Sequence, residues 1–348
     1  MISFYSDYCE GAHPRILKAL NDIQDTQFLY YGEDVLCTQA RELIRKRLEN
    51  EDVDVHFFVG GIQANMTFIA AALRPHQAVI SASSGHVAVH EAGAIETTGH
   101  KVIEVPEVEG KLTLEWARQA ADSHFGERMV APAMLFLSLS TERGTIYTKA
   151  ELAAFREFAD KRGFMIFIDG ARLGAGLSSA ACDLTLADLP KYCDGFTIGA
   201  TKNGAFCGEA LIIVNDEVKK EFRFHMRQRG ALLAKGWFLG VQFQTLLQDD
   251  LYFELAAHAN DAATRLQQAF VDKGIPLISE SATNQVFVLL SQAIIDELSK
   301  DFIFYIWKKE AGDNWVVRFV TSWATKEENL QKLIHAIEDL DDDLIAKI

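Results

Sequence analysis

Between residues 55 and 215 short apolar runs alternate with longer stretches in which apolar positions recur at helical spacing. The runs are Val55–Val59, Ala78–Ser81, Lys101–Val105, Ala133–Ser140, Phe164–Asp169 and Gly195–Gly199. Their mostly unbroken apolar character predicts strands covered on both faces rather than half-solvated ones. The stretches between them predict a long apolar helix running to Arg74, then helices over Val87–Glu96, Leu114–His124 and 149–162. Strand and helix in strict alternation imply a mostly parallel, doubly covered sheet. Two amphipathic helices, Pro14–Asp25 and Leu36–Glu49, precede this block, joined by the turn Tyr30-Tyr31-Gly32-Glu33-Asp34. From Glu217 the pattern turns helical, with a cation-bearing stretch at Phe222–Gly236 and an apolar helix ending near Leu247. Beyond Tyr252 it reads helix, strand (276–278), strand (286–290), helix, strand (302–307), strand (315–321), helix. The expected organisation is an α/β domain over 1–248 and a small α+β domain over 249–348.

Composition narrows the functional classes. A net charge of -15 argues against a nucleic-acid partner, because a phosphate backbone requires a basic face. The acidic cluster at Glu338–Asp343 reads as solvated charge. Cys9, Cys37, Cys182, Cys193 and Cys207 form no CxxC pair and no even framework, which suggests reduced thiols in the cytoplasm and no metal cluster. The start, MISFYSDYCEG, has no basic and apolar leader pattern, and no stretch has the length of an apolar membrane span.

Candidate chemistry gathers where predicted strands end. Lys202 follows the Gly195–Gly199 run and opens into small residues, TKNGAFCGEA. An amine in a closely packed apolar loop loses solvation of its charged form, so it becomes available to attack an aldehyde as a Schiff-base lysine. The plain alternative is a surface lysine. Asp169 ends the run FMIFID, and a buried carboxylate there requires a cation. The protonated ring nitrogen of pyridoxal 5'-phosphate is such a cation, and a lysine with an aspartate is the usual protein contribution; otherwise Asp169 is a helix cap. The two lie roughly one βαβ unit apart, which brings both to the ligand-binding carboxyl edge of one sheet. Gly60 and Gly61 at a strand-to-helix turn leave free N–H groups for a phosphate, although such turns are common. His86 falls in the next strand-end loop, where a flat ring can stack or simply meet solvent, and His90 reads as packing. The loop Thr141–Thr145 reaches the same edge. Alternation does not settle which way Arg318 faces in VVRFVTSW.

With these residues assembled, the sequence resembles the threonine aldolase branch of the β-eliminating lyase group of pyridoxal-phosphate enzymes. The resemblance rests on Ser6-Asp7, Tyr31-Gly32-Glu33-Asp34, Gly61 with Gln63-Ala64-Asn65, His86 before Glu91-Ala92-Gly93, Asp169-Gly170-Ala171-Arg172-Leu173, Lys202, and Arg318 with Val320-Thr321. It implies the aspartate-aminotransferase fold (fold type I), with a mostly parallel sheet of the seven-stranded type. It further implies that Lys202 holds the cofactor as a Schiff base, Asp169 meets the ring nitrogen and His86 stacks on the ring. By the same resemblance the loop Gly60-Gly61-Ile62 is expected to hold the phosphate, and Ser6, Arg172 and Arg318 to bind the substrate carboxylate, with Arg172 also lying against the cofactor. Members are homo-oligomers, dimers or dimers of dimers, so Tyr31 and a cation from Arg227 or Arg229 are expected to reach a neighbour's site. Two departures stand out: Ile62 replaces a threonine of the phosphate loop, and Ser140-Thr141-Glu142-Arg143-Gly144 replaces a loop that carries a histidine in many members.

The reaction this implies is retro-aldol cleavage of a β-hydroxy-α-amino acid, such as L-threonine or L-allo-threonine, to glycine and an aldehyde. His86, Glu142 or a water is the expected base for the β-hydroxyl, with His86 preferred. The rival is β-elimination from serine- or cysteine-like substrates with Lys202 as the base. A remote third is a cofactor-binding protein without catalysis.

Overall fold

The computed structural model describes residues 1–346, so the last two positions of the 249–348 segment lie outside the described residues. In chain order the strands are β1 (Ile2–Ser3), β2 (Asp54–Phe58), β3 (Gln77–Ala82), β4 (Lys101–Val105), β5 (Ala131–Ser138), β6 (Met165–Asp169), β7 (Gly195–Gly199), β8 (Glu209–Ile213), β9 (Gln285–Ser291), β10 (Phe302–Ile303), β11 (Tyr305–Lys309) and β12 (Asn314–Val320). A seven-stranded sheet has the order β2-β8-β7-β6-β5-β3-β4. Every neighbouring pair from β7 to β4 is parallel, whereas β8 runs antiparallel to both β7 and β2. The continuous apolar runs follow from burial on both faces. Leu135, Leu137, Ile166, Ile168 and Ile198 enter one core, while Met134, Phe136 and Phe167 enter the other. Phe167 meets Phe68 of the first covering helix at 4.5 Å between ring centroids.

Local signals explain where helices start and stop. Asp34 caps Val35–Leu48 by accepting from the Cys37 N–H at 2.8 Å. Thr148 and Glu151 form a reciprocal capping box at the start of Lys149–Arg162, and Gly163 ends that helix in the left-handed region at φ 66°. The helix expected over Val87–Glu96 is instead one turn, His86–Val89, because Ala92 and Gly93 take positive φ and turn the chain. Residues 276–278 contribute only a bridge from Leu277 to Val288 rather than a strand, since Pro276 has no N–H to donate. The single strand expected over 302–307 divides into β10, paired with β1, and β11, paired with β12.

A second sheet, β11-β12-β9, is antiparallel and packs Val286, Val288, Val317 and Phe319 against Leu266, Phe270, Leu333 and Ile337. Phe4 joins this core, and its carbonyl accepts from the Val320 N–H at 2.8 Å, so the first residues belong with the second sheet. The helix Leu251–Asp272 begins in the core of the large sheet with Tyr252 and ends in the smaller core with Phe270. The buried face of this helix runs from one core to the other and fixes the two sheets against each other, and the cleft between them is the site. No described helix is long and apolar enough to cross a membrane.

Candidate active site

The carboxyl ends of β3, β5, β6 and β7 and the turn after β2 open onto one cleft of about 470 Å³, closed on the far side by Gln285, Trp307 and Arg318 of the small sheet. Open parallel sheets place ligands at this edge because loops diverge there and leave backbone groups free.

Asp169 is the last residue of β6 and is 5% exposed. Its carboxylate accepts from Asn65 Nδ2 at 3.0 Å and from the Ala171 N–H at 2.9 Å. Gly170 is required next, because a Cβ there would lie 1.8 Å from the Thr197 carbonyl oxygen of β7. The same Asn65 Nδ2 lies 2.8 Å from Glu91 Oε1, and that oxygen lies 2.9 Å from His86 Nδ1. A carboxylate at Nδ1 places the imidazole proton there and leaves Nε2 with a lone pair in the neutral ring. Burial works against the charged imidazole, but the Glu91 hydrogen bond and the Asp169 charge outweigh it and raise the His86 pKa. Glu142 approaches from the loop after β5; its Oε1 accepts from the His86 backbone N–H and from Ser138 Oγ, both at 2.9 Å. Burial raises the Glu142 pKa above the ordinary carboxylate range.

Lys202 stands on the loop between β7 and β8, where Ala200 N–H bonds the Gly208 carbonyl at 2.9 Å. Burial first, then the nearby Arg172 guanidinium, lower its pKa, while Asp7, Asp169 and Glu209 oppose the shift. Gly60 precedes the helix Gly61–Ala72 without a side-chain cap, and added Cβ atoms at Gly60 and Gly61 would meet nothing within 4 Å. The first N–H groups of that helix therefore face open space. Arg318 lies between the rings of Tyr305 and Trp307, 5.1 and 5.2 Å from their centroids, and donates to Gln285 Oε1 at 3.3 Å. Burial and Arg172 bring its pKa down to about 10, so it stays charged at neutral pH.

Lys202, His86, Glu142, Asp169, Gly60, Gly61, Ile62, Arg172 and Arg318 all line this cleft. Arg172 reaches it already paired: Nε and Nη2 bond the two oxygens of Asp7 at 2.7 and 3.0 Å. Ser6 is buried beside Asp7, its hydroxyl without a partner among the described residues. Tyr31 and Arg229 are not on the cleft wall of this chain: Tyr31 stacks under Arg227 at 4.0 Å, and Arg229 donates to the His225 carbonyl at 3.3 Å. Sequence reasoning assigned no task to Asn65, Glu91, Asp7, Gln285 or Glu209. The available signal was their type, since an Asn inside an apolar helix or a Glu opening an apolar strand must be paired or functional when buried.

The seven-stranded topology, an amine of lowered pKa, a buried carboxylate beyond it and an uncapped helix start together define a pyridoxal-phosphate-dependent enzyme of the aspartate-aminotransferase fold type. The chain belongs to the beta-eliminating lyase family, whose model matches residues 19–293. It is 30% identical over 338 residues to the low specificity L-threonine aldolase of Pseudomonas aeruginosa, covering 96% of each chain. It is similar to the solved Leishmania major threonine aldolase at 44% identity and a TM-score of 0.96, covering 97% of this chain and 99% of that one. A Thermus thermophilus aspartate aminotransferase shares the fold at 18% identity and a TM-score of 0.72, over 98% and 92% of the two chains.

Proposed function

We propose that this lyase cleaves L-threonine and L-allo-threonine to glycine and acetaldehyde by a retro-aldol reaction. The observation that carries the reading is the placement of Lys202, Asp169 and Arg318 around one cleft in a chain that matches threonine aldolases almost end to end. The residues fit pyridoxal 5'-phosphate: Lys202 for its aldehyde, Asp169 for its ring nitrogen, His86 for its ring face, and the N–H groups after Gly60 for its phosphate. When bound, that cofactor supplies the electron sink for the bond broken at the α-carbon. Arg318 binds the substrate carboxylate through its planar fork, and so fixes which α-carbon bond stands in line to break. Arg172, held by Asp7, adds positive field from behind rather than a free fork. His86 takes the β-hydroxyl proton at Nε2, with Glu91 holding the ring.

Tyr31 and Arg229, outside this chain's cleft, serve the site of a second copy in a dimer or dimer of dimers. Five free cysteines support a cytoplasmic setting. Purified protein loaded with pyridoxal phosphate and given each threonine isomer tests the function. Acetaldehyde with stoichiometric glycine supports it; 2-oxobutyrate with ammonia would move the protein to β-elimination.

Arg318→Ala is expected to raise the KM for L-threonine about 10- to 150-fold, because losing a charged partner costs about 1.5–3 kcal/mol and each tenfold is about 1.4 kcal/mol. Arg318→Lys should recover only part of this, since it restores charge without the fork. Steady-state kinetics on both variants decides it; a change of less than about threefold for alanine would remove Arg318 from the carboxylate site.

A further inference from the structure

Glu209 is a buried acid of the cleft to which the reading above gives no task. It opens β8, is 4% exposed, lines the cleft, and its Oε2 is buried without a hydrogen-bond partner among the described residues. Its position is fixed on both sides, opposite Gly199 of β7 and opposite Phe58 of β2. The loop that carries Lys202 is closed at its base, next to Glu209: Gly208 accepts from Ala200 N–H, and its own N–H donates to Thr201 Oγ1 at 3.0 Å. Glu209 therefore stands between the amine loop and the Gly60-Gly61 turn. A solitary carboxylate of this burial is costly unless it is protonated or answers a cation.

We propose that Glu209 is the proton partner of Lys202, a positioning residue that takes the ammonium proton when the amine must be free and returns it when Lys202 is unattached. This deepens the proposed function and rests on Lys202 being the amine that engages the cofactor. Lys202 and Glu209 share the cleft wall without an ion pair between them among the described residues, so the transfer runs through a cleft water. An N–H bond of the Lys202 ammonium breaks as the water takes that proton, and the water's own O–H bond breaks as an O–H bond forms on the Glu209 carboxylate. Both groups end neutral, which suits a cleft that burial keeps poorly solvated. Asp169 from β6, Lys202 from the loop and Tyr252 from the helix Leu251–Asp272 are the titratable groups among the described residues whose charges interact with Glu209, and β2 places Phe58 opposite it. Burial and the Asp169 charge push the Glu209 carboxyl up to about 8, against the pull of Lys202, so a proton can reside on it near neutral pH. Asp169 does not compete for this task, because Asn65 and the Ala171 N–H already hold it as an acceptor.

The sign of the effect follows. An anionic Glu209 favours the Lys202 ammonium, so Glu209→Gln removes that support and should move the Lys202 titration to lower pH. The test uses the apoprotein: reaction of Lys202 with formaldehyde and cyanoborohydride across a pH series, quantified on the Lys202 peptide by mass spectrometry. E209Q is expected to shift the midpoint downward by about one pH unit, a tenfold gain in reactive amine below it. Glu209→Asp, which keeps an acid, should lie nearer the parent. An unshifted or upward-shifted profile in folded E209Q overturns the proposal, as does an E209D profile that coincides with E209Q. Because the readout needs neither cofactor nor threonine, a failed cleavage assay with a shifted profile would sink the functional reading alone.

Discussion

Lys202→Ala is expected to yield a folded protein with no covalently held cofactor and with threonine cleavage reduced by about 10⁴-fold or more. The magnitude is large because nothing else in the cleft can replace the amine. Arg172 and Arg318 are guanidinium groups, and a guanidinium that keeps its proton is no nucleophile toward an aldehyde. The fold should survive. The Lys202 charge is opposed by burial and by Arg172, so its removal also relieves an unfavourable charge, and the Ala200–Gly208 hydrogen bond that shapes the loop is made by backbone alone. Two measurements check this: borohydride treatment followed by peptide mapping for attached cofactor, and the acetaldehyde assay. A variant that kept attached cofactor at another lysine, or more than about one per cent of the parent rate, would displace Lys202 from the centre of the site.

The amine and its aspartate were legible in the sequence because both sit at ends of strands buried on two faces. Such strands leave unbroken apolar runs, and a charged residue ending a run marks the sheet's carboxyl edge. Partners from distant segments were not legible in the same way. Arg172 looks like a carboxylate ligand by type, yet its forked contact is with Asp7, 165 residues away in sequence. Glu91 falls where helical spacing predicted a helix; the turn at Ala92 and Gly93 replaces that helix and brings Glu91 to His86. Arg318 was ambiguous because β12 has partly buried positions on both faces, and only its pairing with Phe287 of β9 and Tyr305 of β11 directs it to the cleft. Glu209 begins an apolar strand that is antiparallel to both neighbours, a hairpin pairing that a strand and helix alternation does not reveal.

Asp169→Asn should lower kcat about 10³-fold with pyridoxal phosphate at saturation, while the KM for L-threonine changes little. The substitution keeps volume and still offers an oxygen to the Ala171 N–H, so the end of β6 can keep its shape. On the proposed reading it removes the fixed negative charge that would answer the ring nitrogen, without which that nitrogen has no anion to hold its proton and the sink weakens. It also sets two amide NH₂ groups face to face, the new one and Asn65 Nδ2, which now donates to Asp169 Oδ2 at 3.0 Å. Asn65 has an unpartnered Oδ1 that could answer by rotating, but that rotation turns the same oxygen toward Glu91 Oε1 and breaks a 2.8 Å bond. One conflict therefore persists in either arrangement, costing about 1–3 kcal/mol as a buried unmatched polar group. Glu91 is the carboxylate that orients His86, so the conflict also reaches the group proposed to accept the β-hydroxyl proton. Asn65→Ser in the D169N background supplies a hydroxyl, which can accept from the new amide while donating to Glu91, and separates the two effects. Stability should recover in the double variant while kcat stays low if the charge must stand at Asp169 itself. Recovery of kcat along with stability would mean that Asp169 acts through hydrogen bonding and packing, and that the ring nitrogen is answered elsewhere.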